Sequence, residues 1–288
     1  MKRVVSWLLT CVLLLTLLPA GAWAAEPVVA EPVVAAGWEF CAALDEHGTV
    51  WTWGKNDSGQ LGDGTTTDRG YAAPVPGLTD VVKIYVGRSS MMALKADGTL
   101  WAWGENNAGE LGLGYHSFPP NTGVSTPQQV PLPNQSGVVD VAFSNQSSVI
   151  VMGDGSVYGW GSLPRRYGDA TINNSEIYHV YELDDCHVTA VDGRAVNGDV
   201  YIFLCGSGTP EDPSRLYGWG TGGFCNWQLT DEDYDDRIPK EIVFPGSDRI
   251  VSLEVSDCNV FAISGGQDPG IYIWGVNNEG QTGEGTIS

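Results

Sequence analysis

A five-residue word ending in Trp-Gly occurs five times in this chain, and it constrains the fold more than any other feature. Its copies are Val50–Gly54, Leu100–Gly104, Val157–Gly161, Leu216–Gly220 and Ile271–Gly275. Successive Trp-Gly pairs are 50, 57, 59 and 55 residues apart. Such spacing is typical of architectures that repeat one supersecondary unit. The structural repeat positions are Trp53, Gly54, Trp103, Gly104, Trp160, Gly161, Trp219, Gly220, Trp274 and Gly275.

Each unit is predicted to contain a β-hairpin. The word follows a β-prone segment and a turn such as Asp97-Gly98 or Asp154-Gly155, which supplies the positive φ that a tight hairpin needs. Proline-flanked segments precede some units and suit outer edge strands. They are Pro74–Pro76, Pro127–Pro133 and Pro239–Pro245. Further strands are predicted at Val81–Val86, Val138–Phe143, Val188–Val191 and Ile250–Val255.

Four-stranded units that repeat every 50 to 59 residues are typical of the blades of a β-propeller. Residues two apart in a strand share a face, so Trp51 and Trp53 can both lie against the neighbouring blade. Large aromatic rings supply the area that such stacking needs. We therefore predict an all-β propeller of about five four-stranded blades, the last of them incomplete.

The combined pattern resembles the regulator of chromosome condensation repeat. It consists of Gly-x-x-x-x-x-Ala-Leu, then Asp-Gly, then the Trp-Gly word and a loop of the form Asn-x-x-Gly-Gln-Leu-Gly. The loops that carry it are 56–64, 106–114 and 277–285. The resemblance covers most of Gly37 to Gly285. It implies a propeller that presents loop-lined faces to protein partners, and members of the family are mostly seven-bladed.

The way in which the ring ends has two interpretations. The fifth unit stops at Ser288, about 22 residues short of the length of the first. The N-terminal segment Glu26–Val34 reads like the missing outer strands and would close the ring by strand exchange between the termini. Alternatively, the chain is an open fragment of a seven-bladed ring from a longer protein.

The N-terminus predicts export. Lys2 and Arg3 precede an apolar run from Val4 to Leu18 and a small-residue site that ends at Ala24, which is the order of a cleavable signal peptide. We expect residues 1–24 to be removed and residues 25–288 to form one propeller domain. The run is shorter than the ~20 residues that span a membrane. A secreted bacterial protein, extracellular or associated with the cell surface, is therefore predicted.

The charge of the chain limits its partners. The net charge is −21, and it becomes −23 without Lys2 and Arg3, since 12 basic groups then face 35 acidic ones. Such a field repels nucleic acid and anionic lipid. We expect no nucleic acid and no membrane span, and a partner that is cationic if it is charged at all.

Catalytic and metal-binding motifs were not found in the sequence. It has no nucleophile elbow and no phosphate loop, and His47, His116, His179 and His187 lack metal-ligand spacing. The acidic run 231–236 lacks the spacing of a calcium loop. We therefore expect no enzymatic activity, no cofactor and no metal. Disulfide pairing stays open among Cys41, Cys186, Cys205, Cys225 and Cys258.

The predicted function is a secreted, non-enzymatic module that binds an extracellular or surface protein, of an interaction or inhibitor type. The alternatives are a cell-surface adhesin or wall-associated module cut from a longer protein, and an extracellular hydrolase with a polar pocket in the propeller channel. Candidate partner-binding loops are 115–127, 206–215 and 230–238. Candidate partner-binding residues are Trp38, Trp227, Asp231, Asp233 and Asp235.

Overall fold

Five antiparallel sheets follow one another along the chain. The computed structural model describes residues 30–117, 123–144, 146–163, 175–195, 199–206, 214–220, 239–242, 250–255, 259–265, 269–275, 279–280 and 283. Sheet 1 contains β1 (Val33–Ala36), β2 (Phe40–Leu44), β3 (Val50–Gly54) and β4 (Arg69–Pro74). Sheet 2 contains β5 (Val81–Val86), β6 (Ser90–Lys95), β7 (Leu100–Gly104) and β8 (Val124–Gln129).

The remaining sheets repeat this order, and the last one has three strands among the described residues. Sheet 3 contains β9 (Val138–Phe143), β10 (Ser147–Met152), β11 (Val157–Gly161) and β12 (Tyr178–His179). Sheet 4 contains β13 (Val188–Ala195), β14 (Asp199–Cys205), β15 (Arg215–Gly220) and β16 (Lys240–Ile242). Sheet 5 contains β17 (Ile250–Val255), β18 (Asn259–Ser264) and β19 (Ile271–Gly275). One short 3₁₀ helix, Tyr181–Leu183, precedes sheet 4.

The second and third strands of each sheet form the predicted hairpin, as in the pairing of β2 with β3 and of β14 with β15. The turns take the expected conformation, since Gly48, Gly98 and Gly155 have φ of 75°, 80° and 84°. Aspartate side chains stabilise these turns by accepting hydrogen bonds from backbone N–H groups. Asp45 Oδ1, for instance, accepts the backbone N–H groups of residues 47 and 49, both at 3.0 Å. The hairpin prediction is therefore confirmed.

The first strands of the sheets gather around a common axis. β1 contacts β5, β5 contacts β9, β9 contacts β13, and β13 contacts β17. The core runs along this row in three buried clusters, which join sheets 1 to 3, sheets 3 and 4, and sheets 4 and 5. The chain is thus an all-β propeller with sheets for blades, as its sequence predicts.

The placement of the N-terminal segment differs from the expectation. Val33 and Val34 do not extend the outer edge of the last sheet. They belong to β1, where they pair with Leu44 and Ala43 of β2, in the position that β5 takes in sheet 2. The reason is local, because a strand that lies a few residues before β2 can pair with it through a short turn. Residues 26–29 lie outside the described part.

No helix in the part of the chain that the structure describes has the length and apolar character to cross a lipid bilayer.

Candidate interaction surface

Among the described residues, the loops that follow β3 and β7 each hold the tryptophan of the next sheet. The indole Nε1 of Trp103, in sheet 2, donates to the carbonyl oxygen of Gln60, in the loop after β3, at 3.0 Å. The indole of Trp160, in sheet 3, donates in the same way to the carbonyl of Glu110 at 2.7 Å. Both indoles are fully buried. We call this repeated contact the tryptophan lock.

The shape of the loops explains how the lock fits. Asn56 accepts the backbone N–H of Leu61 at 2.9 Å, and its side-chain amide donates to the carbonyl of Thr67 at 3.1 Å. The loop is thereby folded back on itself. Gly62, with φ of 67°, lies so close to the next sheet that a Cβ there would come within 2.8 Å of Trp103 Nε1. Only glycine combines that backbone conformation with so close an approach.

The other repeat tryptophans vary in burial. Trp219 is 3% exposed and packs against Tyr201 and Phe203, with ring centroids 6.0 and 6.3 Å away. Trp53, in the first sheet, is only half-buried. Trp274 lies in β19, but its side chain is outside the described part. The sheet-to-sheet lock is therefore seen in full between sheets 1 and 2 and between sheets 2 and 3.

Glu110 is a buried acid at the centre of one lock. Its carboxylate accepts the backbone N–H of Ala108 at 2.8 Å, and Gln60 makes the matching contact with the N–H of Ser58 at 2.9 Å. Burial raises the pKa of Glu110 to about 7. The sequence contained a signal for this residue, since Glu110 stands where the first loop has glutamine.

A central cavity of about 610 Å³ opens between the first strands. All five sheets contribute to its wall, through residues such as Ala36, Tyr85, Phe143, Asp192 and Glu254. The described residues contain no group of three His, Cys, Asp or Glu that could hold a metal ion. The cavity is the concave feature that a hydrolase would use, so its ionisable groups decide which chemistry it can support.

Two carboxylates in this region tie neighbouring sheets together. Asp140 of β9 accepts the backbone N–H of Val191 at 3.1 Å and binds Lys83 Nζ at 2.6 Å. Asp192 of β13 accepts the backbone N–H of Val255 at 2.6 Å and that of Gly193 at 2.8 Å. Burial, followed by the nearby charge of Glu254, raises the pKa of Asp192 to about 6. Both oxygens of Asp192 are engaged by backbone, which is a structural use.

The rim of the cavity carries an exposed tryptophan. Trp38 is 58% exposed, and the guanidinium of Arg88 lies 5.1 Å from its ring centroid. These two residues, the rim pair, line both the cavity and an adjoining groove of about 300 Å³. The groove also presents charged groups, including Lys55 and Asp57.

Backbone contacts fix the rim pair in place. Trp38 and Arg88 lie in equivalent turns, between the first and second strands of sheets 1 and 2, and the N–H of Trp38 donates to the carbonyl of Arg88 at 2.7 Å. The next residue, Glu39, has a φ of 63°, which is uncommon for a residue other than glycine. Its carboxylate binds Lys55 Nζ at 3.0 Å. These bonds fix the turn that carries the exposed indole of Trp38.

The structure describes only some of the predicted partner-binding residues and loops. Trp227, Asp231, Asp233 and Asp235 lie outside the described residues, as does the loop 230–238, and only the ends of 206–215 and of 115–127 are described. Of the proposed binding residues, Trp38 is thus the one that the described residues include. Arg88 was not foreseen, although it occupies the same turn in sheet 2 as Trp38 does in sheet 1.

Comparison with known proteins agrees with this geometry. Two family models, both described as the regulator of chromosome condensation (RCC1) repeat, match residues 47–94 and 97–151 and residues 33–60 and 81–110. Together the two models match residues 33–151. The matched segments contain the loops of the two complete locks and Trp103, whereas Trp160 lies nine residues beyond the last matched residue. The Protein RCC2 homolog of Xenopus laevis is 28% identical over 266 residues, covering 83% of this chain, which also supports the RCC1 repeat family.

Solved structures agree on the fold. Human WBSCR16 aligns with a TM-score of 0.69 at 17% identity, covering 90% of this chain and 65% of that one. Yeast RCC1 (Prp20), in a crystal structure bound to Kap60, aligns with a TM-score of 0.58 at 20% identity, covering 84% of this chain and 53% of that one. The present chain spans 50% of the RCC2 homolog. It is similar to only part of each of these proteins.

Proposed function

We propose that this chain is a secreted, non-enzymatic propeller that binds an extracellular or surface protein through the rim pair and the groove beside it. The observation that carries the proposal is the exposed Trp38, held over Arg88 at the edge of the central cavity. Tryptophan and arginine are the residues most enriched at the energetic centres of protein interfaces. Here a backbone hydrogen bond between Trp38 and Arg88 holds both residues in position before a partner binds. Such pre-organisation lowers the entropy cost of binding.

The fold supports a binding role. Propeller blades give a rigid frame on which loops can vary, and yeast RCC1, which shares the fold, was crystallised bound to another protein, Kap60. The predicted signal peptide favours a bacterial exported protein with an extracellular partner. An adhesin or wall-associated module remains the alternative, and the sequence beyond Ser288 would test it.

The proposed partner is cationic at its point of contact. The net charge of the chain is −21, and the cavity wall includes Asp192 and the exposed Glu254. An acidic surface of this kind steers and selects positively charged partners. Arg88 is a cation at the rim, so the attraction comes from the acidic groups around it and not from the rim pair.

A hydrolytic role is less well supported by the same cavity. A raised pKa in a cavity is one signature of a catalytic acid, and Asp192 has one. Its carboxylate, however, is occupied by the N–H groups of Val255 and Gly193. We therefore assign Asp192 to holding sheet 4 against sheet 5, and we propose no reaction for it.

The test is a binding comparison. The purified chain, immobilised at low salt, is exposed to medium and surface extracts of the source culture, and captured proteins are identified by mass spectrometry. Dissociation constants are then measured for the wild type and for Trp38→Ala. We expect the substitution to weaken binding by roughly 30-fold or more, which corresponds to about 2 kcal/mol.

The matched control is Tyr71→Ala. Tyr71 is also an exposed aromatic residue, at 70%, but it lies on β4, the outer strand of sheet 1. We expect this variant to bind within about twofold of the wild type, since isolated surface positions contribute little. An unchanged dissociation constant for Trp38→Ala, or turnover of a substrate that Asp192→Asn abolishes, would contradict the proposal.

A further inference from the structure

Two buried cysteines meet in the core between sheets 3 and 4. Cys186 is 7% exposed and Cys205 is 0% exposed, and both belong to the same buried cluster. Both are thiols in the structure. Cys205 ends β14, and Cys186 lies in the turn that leads from the 3₁₀ helix into β13. The two residues thus stand at the same end of one hairpin.

The register of that hairpin brings the thiols together. Val188 pairs with Cys205, and the N–H of Gly206 donates to the carbonyl of His187 at 2.8 Å. The pairing thus continues past the end of β13 towards Cys186. Cys186 stands two residues before Val188, so the chain brings it close to Cys205 at this end of the hairpin. Their side chains are close enough to share a hydrogen bond, and burial, followed by the proximity of Cys186, raises the pKa of Cys205.

We propose that Cys186 and Cys205 form a disulfide in the mature protein. The oxidant is a small or protein disulfide, such as oxidised glutathione. The thiolate of Cys186 attacks one sulfur of it, breaking the S–S bond and releasing one glutathione thiolate. The thiolate of Cys205 then attacks Cys186 Sγ, and the second glutathione leaves. The two protein thiols lose two electrons and two protons, and one oxidised glutathione becomes two reduced ones.

The surroundings favour this pair over other pairings. Cys41, the other described cysteine, lies in β2 of sheet 1 and packs in a different region of the molecule. Burial raises the pKa of Cys205, and the guanidinium of Arg215, in the neighbouring strand β15, opposes part of that rise; the thiolate is the reactive form. The proposed export would place the pair in an oxidising compartment, where such bonds persist.

Peptide mapping tests the pairing directly. Each of Cys41, Cys186, Cys205, Cys225 and Cys258 lies in a different tryptic peptide, and the two of interest are 167–194 and 195–215. The purified full chain is reduced and unfolded, then refolded with reduced and oxidised glutathione, with refolding checked by circular dichroism. A second sample is oxidised with glutathione disulfide without unfolding. Free thiols are alkylated before digestion without reductant. We expect peptides 167–194 and 195–215 to be recovered as one linked species.

Thermal unfolding supplies a second readout. The bond would close a loop of about 20 residues, so reduction should lower the Tm of the oxidised wild type by roughly 5 °C or more. Cys186→Ala should show no such shift, and Cys41→Ala should shift as the wild type does. Both thiols alkylated in both samples, or linkage of either one to another cysteine, would overturn the proposal.

Discussion

Gln60 and Glu110 occupy equivalent positions in successive loops and make the same backbone contact with different chemistry. Each side chain accepts an N–H two residues earlier, at 2.9 and 2.8 Å, and each residue's own carbonyl receives the indole of the next sheet. Glutamine is neutral at every pH. Glutamate is neutral there only while it is protonated, so the second lock depends on pH and the first does not.

Glu110→Gln is expected to stabilise the protein above pH 7. The folded pKa of Glu110, about 7, lies above its ordinary value of 4.5. A carboxyl with a raised folded pKa gives stability that is complete below pH 4.5 and is lost as pH rises through 7. The variant lacks this loss, so its free energy of unfolding should exceed that of the wild type by about 1–3 kcal/mol at pH 8. At pH 4.5 the two free energies should differ little. Urea unfolding at both pH values measures the difference.

Gln60→Glu is the matched control for that prediction. It should create at the first lock the same dependence that Glu110 creates at the second, so the variant should lose stability relative to the wild type as pH rises from 4.5 to 8. Equal free energies of unfolding for the wild type and Glu110→Gln at pH 8 would contradict the prediction, because they would show that ionised Glu110 does not destabilise the fold.

At the scale of elements, carboxylates of first strands join neighbouring sheets through residues that are more than 50 positions apart in the chain. Asp140 in β9 contacts Lys83 of β5 and the backbone of Val191 in β13, so one side chain of sheet 3 binds both sheet 2 and sheet 4. Asp192 repeats the contact from sheet 4 to sheet 5. These bonds fix the spacing of neighbouring blades near the axis.

Asp140→Ala should therefore destabilise the fold by about 2–4 kcal/mol, because it leaves the N–H of Val191 without its acceptor in a partly buried place. Asp97→Ala removes an exposed carboxylate whose hydrogen bonds stay within its own turn, where it accepts the backbone N–H of Thr99 at 3.0 Å and the Thr99 hydroxyl at 2.6 Å. That control should cost about 1 kcal/mol or less. Chemical unfolding followed by tryptophan fluorescence distinguishes them, and equal losses would contradict the role given to Asp140.

Elements could be predicted from the sequence where the information is local. The Trp-Gly word predicted β3, β7, β11 and β19 at their observed bounds, since alternation and Asp-Gly turns act over a few residues. Position within the ring could not be predicted in the same way. Val33 and Val34 carry no mark that distinguishes a first strand from an outer strand, and the bond from Asp140 to Val191 joins residues 51 apart in the chain. Trp38 stood out because it fell outside the repeated word, whereas Arg88 had no such mark.

At the scale of the whole molecule, charge is the dominant feature. The chain carries 35 acidic residues and 14 basic ones. Salt screens the electrostatic interactions of these charges, and at 0.1 M they decay over a distance of about 10 Å. A negative electrostatic field of this kind acts mainly on the rate at which a partner associates.

The association rate of the captured partner should therefore fall by roughly tenfold or more between 50 and 500 mM salt, while the dissociation rate changes less. Stopped-flow or surface-based kinetics separate the two rates. The exposed pair Trp38→Ala and Tyr71→Ala serves again here, since neither substitution changes charge and both should keep the wild-type salt slope. An association rate that rises with salt would argue for a partner held by apolar contact alone.

The tryptophan lock has a direction: at both junctions where it is seen in full, the loop belongs to one sheet and the indole belongs to the sheet that follows. A copied stretch of gene that encodes one sheet with its loop would bring both a loop to seat the next indole and an indole to fit the previous loop. Such a copy needs no compensating substitution at either junction, because Gly62 and Gly112 present the same opening to Trp103 and Trp160. Tandem duplication or loss of whole units is thus an open evolutionary path for this molecule, and ring size can drift among its descendants while each junction is inherited intact.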